Sequence, residues 1–442
     1  HRDLHSFPTR RSSDLISCSY GPGRYDSDYE LKGRDYPPAY VRWTEQRNMA
    51  SFLDLVQQGR VDVKKLTTHV FDLQNAVQAY RLVTGKKHAP CLGILFRYPA
   101  AGELSHAVAV PAKAVMRPPS SRLRVGVIGA GNFAKAHLLP HFATTDVEWM
   151  TVADADSVNA KATATKFGFK KAVSDSRLVL DDPDIDAVVI ATRHDSHAAL
   201  AAAALQQDKH VYVEKPLALS ADELDVVMQQ ACKSDRILQV GFNRRSSAMA
   251  VAVKNWFRER TYPLAVNIRV NAGYLPPDYW LNDDELGGGR LRGEACHFID
   301  LAQFFIAAAP ESVKALATRE PHRLTRAVEN FVVTIGYADG STAVVQYYSN
   351  GSKKLSKELI EVYGGDRTAV IDDFRELHLY DRQKNRARVS AGKGHAEEVG
   401  QFIDSCLGQR PPLYSREELE QVARTTLAAH SSLTTREEQN IR

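Results

Sequence analysis

At 442 residues the chain is long enough for two or three domains, and its 44% hydrophobic and 25% charged residues are those of an ordinary globular protein. A formal net charge of +4, with no dense Lys/Arg stripe interleaved with aromatics, argues against nucleic acid as a partner. No apolar run reaches the length of a membrane span. The five cysteines, Cys18, Cys91, Cys232, Cys296 and Cys406, include no C-x-x-C pair. That pattern points to a reducing, cytoplasmic setting and away from a disulfide framework or a metal centre.

The first fifteen residues, HRDLHSFPTRRSSDL, are polar and lack any period, and we read 1–15 as an artefactual or disordered tail. A segment over 16–98 follows. It opens with the turn-rich Ser19–Tyr25 and contains a helix-like stretch, Thr44–Gln58, with Met49, Phe52, Leu53 and Val56 on one face. A second helix is expected over Leu73–Leu82, then an apolar strand, Leu92–Phe96. Gly59-Arg-Val-Asp-Val-Lys-Lys-Leu-Thr-Thr-His69 and Phe71-Asp-Leu-Gln-Asn-Ala-Val-Gln-Ala-Tyr80 resemble the closing part of a zinc-type medium-chain alcohol dehydrogenase. That resemblance implies a C-terminal remnant of such a module and marks the chain as a fragment of a two-module oxidoreductase. The Ala/Pro/Ser-rich stretch 99–121 reads as a linker.

From residue 122 apolar strands alternate with helices. Val125, Val127 and Ile128 form a buried strand, and Gly129-x-Gly131-x-x-Ala134 is the turn that leads into a helix over Lys135–Ala143. Gly129 permits the tight bend, Gly131 lets a pyrophosphate approach the backbone, and Ala134 lets the helix pack closely. Asn132 and Phe133 lie in the same turn. The following strand, Val147–Asp154, ends in an acid 20 residues after Ala134, where a carboxylate accepts the ribose hydroxyls of NAD. Ala155 and Asp156 come next, with no arginine for a 2′-phosphate, so NAD is preferred to NADP.

A helix over Asn159–Phe167 and strands at Ala187–Ala191, His210–Val213 and Ile237–Val240 continue the pattern, with helices at His197–Gln207 and Ala221–Lys233 between the strands. This predicts a doubly wound parallel sheet over 122–243. Beyond it Ala265–Val270, Phe331–Tyr337 and Thr342–Tyr348 alternate apolar with polar residues, the last two joined at Asp339-Gly340 as a hairpin. Glu358–Tyr363 and Thr368–Ile371 are further strands, and helices at Glu397–Leu407 and Arg416–Ser432 close the chain. The fold class is therefore α/β: a Rossmann domain followed, over 244–442, by an α+β domain with an open, mostly antiparallel sheet for substrate binding and oligomerisation.

Tyr212-Val-Glu-Lys-Pro216 sits at a strand's C-terminal end, the edge where open α/β sheets bind ligands. With the Gly129–Ala134 turn, Ala191-Thr192 and His197, Glu214-Lys215-Pro216, Gly241-Phe-Asn-Arg-Arg245, Gly287-Gly-Gly-x-Leu291 and His297-x-x-Asp300, the chain resembles the glucose–fructose oxidoreductase/inositol dehydrogenase/MocA-like family from about Arg122 to Ser432. The resemblance implies Thr192, His197, Glu214, Lys215 and Asn243 beside the cofactor. It implies that Lys215 and His297 handle the substrate hydroxyl. Asp300, one helical turn on, either orients the imidazole or pairs locally. Arg245 and the aromatic pair Tyr279-Trp280 are expected at the substrate, although Arg245 can equally pair with a carboxylate and the aromatics can equally be core. Lys393-Gly-His395 matches a family stretch expected to be structural.

Many members carry an aspartate four residues before the histidine, where this chain has Gly293, with Glu294 beside it. Either Glu294 supplies that carboxylate from a shifted backbone, or the site lacks it and the reaction differs. The expectation is an NAD-dependent oxidoreductase moving a hydride between a sugar, nucleotide-sugar or cyclitol hydroxyl and nicotinamide. It is expected to work as a homo-oligomer, in polysaccharide or modified-sugar biosynthesis. The alternatives are an NAD-recycling glycoside hydrolase or a non-catalytic NAD-binding regulator.

Overall fold

The computed structural model describes residues 21–30, 33–84, 91–98, 107–109, 122–144, 146–318, 328–381, 384–387 and 392–441. The tail 1–15, Cys18 and most of the stretch 99–121 lie outside these. The chain divides into two compact units, His1–Leu104 and Ser105–Arg442.

In the first unit, β1 (Thr67–Asp72) and β2 (Gly93–Arg97) pair in parallel. They are joined through a short 3₁₀ turn and the helix Ala76–Val83. The helix Glu45–Gln57 forms where the period predicts it, but none of its residues is buried. Met49, Phe52 and Leu53 lie on the surface. A two-stranded sheet with one crossover is too small to cover a second helix.

The second unit opens with β3 (Ala107–Ala109), inside the stretch read as linker. It adds antiparallel to the edge of the nucleotide-binding sheet, whose outer strand has free backbone groups to offer. The sheet continues with β4 (Leu123–Ile128), β5 (Val147–Ala153), β6 (Lys171–Val173), β7 (Ala187–Ile190), β8 (His210–Val213) and β9 (Leu238–Val240). Their order is β3-β6-β5-β4-β7-β8-β9, with β4 to β9 all parallel. This is the doubly wound arrangement, and its order reverses between β4 and β7. Both faces are covered, so the strands read as continuous apolar runs. Ala187 and Val189 of β7 pack into one core and Val188 and Ile190 into the other.

The helix after the glycine turn differs from expectation. It runs as a wide π-turn, Ala134–Leu138, and then a single α turn, Leu139–Phe142. Pro140 lacks the N–H that an uninterrupted α-helix would use at that point. The helix Ala221–Lys233 begins with a capping box, in which Ser220 accepts from the Glu223 N–H and Glu223 reaches back to the Ser220 backbone.

The second sheet holds β10 (Ala265–Asn271), β11 (Pro310–Ala317), β12 (Phe331–Tyr337), β13 (Thr342–Tyr348), β14 (Glu358–Gly364), β15 (Arg367–Asp372), β16 (Glu376–Tyr380), β17 (Lys384–Ala387) and β18 (Gln439–Asn440). Its order is β17-β16-β15-β14-β10-β13-β12-β11-β18. All neighbours are antiparallel except β10 and β13, because the long excursion through the helix Cys296–Ile306 intervenes between them. The helices Cys296–Ile306 and Arg416–Thr435 pack on this sheet at β13 and β11 respectively. Among the described residues no helix is long and apolar enough to cross a membrane.

Candidate active site

The glycine turn follows β4 at the point where the strand order reverses. Gly129 has φ +92°, and a Cβ there would lie 2.5 Å from the Ala191 carbonyl oxygen at the end of β7. Only glycine lets the two strand ends come this close. Gly131 is different: a Cβ there meets nothing within 4 Å. The space above it is open, as a backbone that must admit a pyrophosphate requires. Gly131, Asn132 and Phe133 are exposed, while Ala134 is buried against the strand.

Asp154, at the end of β5, ties this turn together. Its Oδ2 accepts from the Ala130 N–H at 2.8 Å and from Asn159 Nδ2 at 3.1 Å, and its Oδ1 accepts from the Asp156 N–H at 2.9 Å. A carboxylate offers about four acceptor positions, so one remains for a ribose hydroxyl. The open cradle over Gly131 and this strand-end acid fit NAD. Replacing Gly131 by valine costs no internal packing yet fills the cradle. The expected result is at least about a tenfold loss of NAD affinity, read by nucleotide titration, with the thermal midpoint unchanged. Unaltered affinity would move the phosphates elsewhere.

Below the turn lies a cavity of about 390 Å³ lined by Phe133, Glu214, Lys215, Asn243, Glu294 and His297, among others. Six of the residues given a site role in the sequence therefore meet in one place. Lys215 Nζ donates to the Gly293 carbonyl oxygen at 2.9 Å. Glu294 accepts from Arg290 at 2.6 Å and also from the Tyr347 hydroxyl. Burial alone would raise the Glu294 carboxyl, but Arg290 and Lys215 with the Tyr347 hydrogen bond hold it below the usual range, so it stays ionised. Burial drives the His297 imidazole well below its ordinary value, helped by Arg244 and Lys215, so the ring is neutral. Its Nδ1 is buried without a hydrogen-bond partner among the described residues. Burial pushes the Glu214 carboxyl up to about 7, against the pull of Lys215.

Around Gly293 the backbone makes a wide helical turn. Residues Leu291–Ala295 form a π-turn before the α-helix Cys296–Ile306, and such a turn carries an extra residue. Glu294 reaches the cavity wall, whereas a Cβ on Gly293 would point toward Leu281 and His194. The shift does not use an unusual glycine dihedral, because Gly293 is absent from the positive-φ residues. It is a steric matter: a Cβ at 293 would sit 2.5 Å from Leu281 Cδ1 and 2.9 Å from His194 Cε1. Gly293→Asp, which restores the family residue, is therefore expected to cost about 1–3 kcal/mol of stability and to lower activity, as measured by urea denaturation and steady-state rates. A gain in rate would count against this packing.

Other sequence expectations are corrected. Arg245 does not reach the cavity: it is 1% exposed and binds Asp300 through Nε at 3.0 Å and through Nη2. Asp300 is consequently committed to Arg245 and does not orient His297. The cavity wall is made instead by Arg244, the neighbouring residue on the 3₁₀ turn Asn243–Ser246. Arg244 is held by fully buried Glu358 at 2.9 and 2.8 Å. Burial opposes the Glu358 charge, but Arg244 and Lys393 keep its carboxyl down at about 2.

Tyr279 and Trp280 do not line the cavity. Tyr279 is exposed, and Trp280 packs edge-on against His194 at 4.8 Å. His197 is fully buried, with Nδ1 on the Pro216 carbonyl oxygen at 2.8 Å and Nε2 3.3 Å from that of Thr192. One N–H steadies the loop that carries Lys215, and with no exposed surface the ring reaches no cofactor. Lys393 and His395, expected to be structural, lie on the cavity wall. Tyr347 and Lys357 on the wall were not singled out from the sequence. Tyr347 was visible there only as an inward position of an alternating strand.

A nucleotide cradle at the strand reversal, opening onto a lysine, a neutral histidine and an ionised acid, defines an NAD-dependent oxidoreductase. Residues 123–242 match the oxidoreductase family with an NAD-binding Rossmann fold, and residues 262–370 match the GFO/IDH/MocA C-terminal domain. The two matches span more than half of the chain, and the chain belongs to the GFO/IDH/MocA family. It is 27% identical to the myo-inositol 2-dehydrogenase of Thermotoga maritima over 70% of this chain and 96% of that protein. It is 29% identical to the levoglucosan dehydrogenase of Pseudarthrobacter phenanthrenivorans over 64% of this chain and 83% of that one. A solved levoglucosan dehydrogenase in complex with NADH and levoglucosan shares the fold, with a TM-score of 0.64 and 23% identity over 73% of this chain and 99% of that one.

Proposed function

We propose that the protein oxidises a ring hydroxyl of a sugar or cyclitol, with Lys215 and His297 handling the hydroxyl's proton. The observation that supports this most is that Lys215, Glu294 and His297 share one cavity beside the nucleotide turn. Bound NAD supplies the hydride acceptor. A lysine ammonium has three N–H donors, and Lys215 commits one to Gly293, leaving others for a substrate oxygen. Neutral His297 has an unprotonated ring nitrogen to take the hydroxyl's proton, although burial and the cations around it lower its basicity. Ionised Glu294, fixed by Arg290 and Tyr347, sets a negative charge beside Lys215 and offers an acceptor to a second hydroxyl. The substrate class accords with the inositol and levoglucosan dehydrogenases among the relatives.

The test is incubation of the full chain with NAD and a panel of sugars, cyclitols and their phosphorylated or uronic derivatives, read as NADH formation and as oxidised product. Turnover of at least one is expected. Tight NAD binding with no oxidation and no aglycone release across the panel would turn the reading toward a binding protein. Aglycone release without NADH would turn it toward cofactor recycling.

We further infer, from sequence resemblance alone, that 16–98 derives from the closing part of a zinc-type medium-chain alcohol dehydrogenase. The parallel β1–helix–β2 crossover is compatible with that origin. On this reading 99–121 links it to a Rossmann domain over 122–243 and a substrate domain over 244–442. The complete protein would then be a cytoplasmic, homo-oligomeric two-module oxidoreductase of polysaccharide biosynthesis. Light scattering tests the oligomer, and the coding sequence upstream tests the origin. A monomer, or unrelated upstream sequence, would remove the respective claim.

A further inference from the structure

A second, larger cavity of about 790 Å³ adjoins the first, and Lys357 and Lys393 line both. Its wall carries Lys353, Lys354, Lys357, Arg375 and Lys393, against a single carboxylate, Asp373. Arg375 and Lys393 are spoken for. Lys393 pairs with Glu358 at 2.8 Å and Asp373 at 3.5 Å, and Arg375 pairs with Asp373 at 3.4 Å. Lys353, Lys354 and Lys357 have no acidic partner among the described residues. Three uncompensated ammonium groups around one concavity repel one another and concentrate anions.

The wall is built rather than loose. The lysines sit on the loop between β13 and β14, and buried Asn271 holds that loop through Nδ2, donating to the Ser352 carbonyl oxygen at 2.8 Å. The Asn271 N–H donates to the Lys357 carbonyl oxygen at 2.7 Å, and Arg269 donates to that of Ser356 at 3.0 Å. Asn271 Oδ1 is buried against Gly351, so the side chain is fixed from both ends.

Size points the same way. The smaller cavity must take the reacting ring beside the nicotinamide, whereas the larger one is near the top of the range for small-molecule sites, about 300–1,000 Å³. We infer that the substrate is larger than one sugar ring and anionic, bearing a phosphoryl or carboxylate group that sits among Lys353, Lys354 and Lys357 while its reacting ring lies at Lys215. This rests on the dehydrogenase reading and adds the substrate's charge and length.

The experiment titrates the NADH-loaded full chain calorimetrically with three probes. These are cellobiose as the neutral probe, a glucuronate-containing disaccharide of the same size, and UDP-glucose. At least one anionic probe is expected to bind roughly tenfold or more tighter than cellobiose near 50 mM salt, with the gap narrowing severalfold near 500 mM. The double variant Lys353→Ala/Lys354→Ala is expected to remove most of that gap and leave cellobiose binding unchanged. The probe that gains names the group, carboxylate or phosphoryl. Equal affinities, no binding of either anionic probe, or a gap that survives in the double variant each overturn the inference. None of these outcomes depends on turnover, so loss of the dehydrogenase reading would be seen separately in NADH formation.

Discussion

Lys215→Ala is expected to lower kcat for NADH formation by roughly a hundred- to ten-thousand-fold, the span usual for removal of a group that assists proton transfer. NAD affinity and the thermal midpoint should hardly move. The geometry explains the split. Lys215 stands at the C-terminal end of β8 on the cavity wall, and its one internal hydrogen bond goes to a backbone oxygen at Gly293. Losing that bond strands no buried charge, because Glu294 keeps Arg290 and Tyr347. Steady-state rates and nucleotide titration on the same preparation check both halves. Lys215→Arg keeps a cation on a longer, planar head and is expected to recover binding of substrate better than rate. A loss of kcat smaller than about tenfold for Lys215→Ala would leave Lys215 no part in the proton transfer, only a positioning role.

Asp300→Ala is expected to destabilise the fold by about 3–5 kcal/mol, because it leaves the Arg245 guanidinium buried and uncompensated. Arg245 is 1% exposed and is stacked 4.1 Å above Tyr414 and 5.3 Å from Phe304. Its other carboxylate, Glu418, stands 3.5 Å away with a side chain 40% exposed, too wet to replace Asp300. Replacing both partners, Arg245→Met with Asp300→Leu, is expected to restore most of the loss, since an apolar pair of similar volume carries no desolvation penalty. Urea denaturation of the single and double variants measures this. A substrate role for Arg245 predicts the reverse pattern for Arg245→Ala, a raised KM at unchanged stability.

These two sites show where residue-level reading succeeds and where it slips. The positions of Asp154 and Lys215 were legible because each follows the end of an apolar strand, and strand ends of a doubly wound sheet face the ligand; a role for Lys215 was implied only by the family resemblance. Arg244 and Arg245 are neighbours on a 3₁₀ turn, and one enters the cavity while the other enters the core. Adjacent side chains on such a turn point in different directions. The choice between them is made by Glu358 and Asp300, distant in sequence. The same holds for Glu294. A carboxylate near position 293 could be expected, but the π-turn that presents it depends on Leu281 and His194 filling the space where a side chain on Gly293 would go.

The sequence by itself determined the two-sheet architecture, the nucleotide turn, its preference for NAD and the lysine at the strand edge. The sheets rest on periodicity along each strand. The nucleotide turn and its preference for NAD rest on glycine and acid residues within one strand–turn–helix unit, where local geometry is complete. The lysine's place at a strand end was read the same way, and its role only from the family resemblance. Only the tertiary structure decided that Arg245 and Asp300 are core and that Tyr279 and Trp280 stand aside. Only it brought Tyr347, Lys357, Lys393 and His395 to the cavity. Those assignments depend on which long-range partner neutralises a charge or occupies a volume, and burial makes the cost of the wrong pairing several kcal/mol, a constraint that exists only once the sheets have packed.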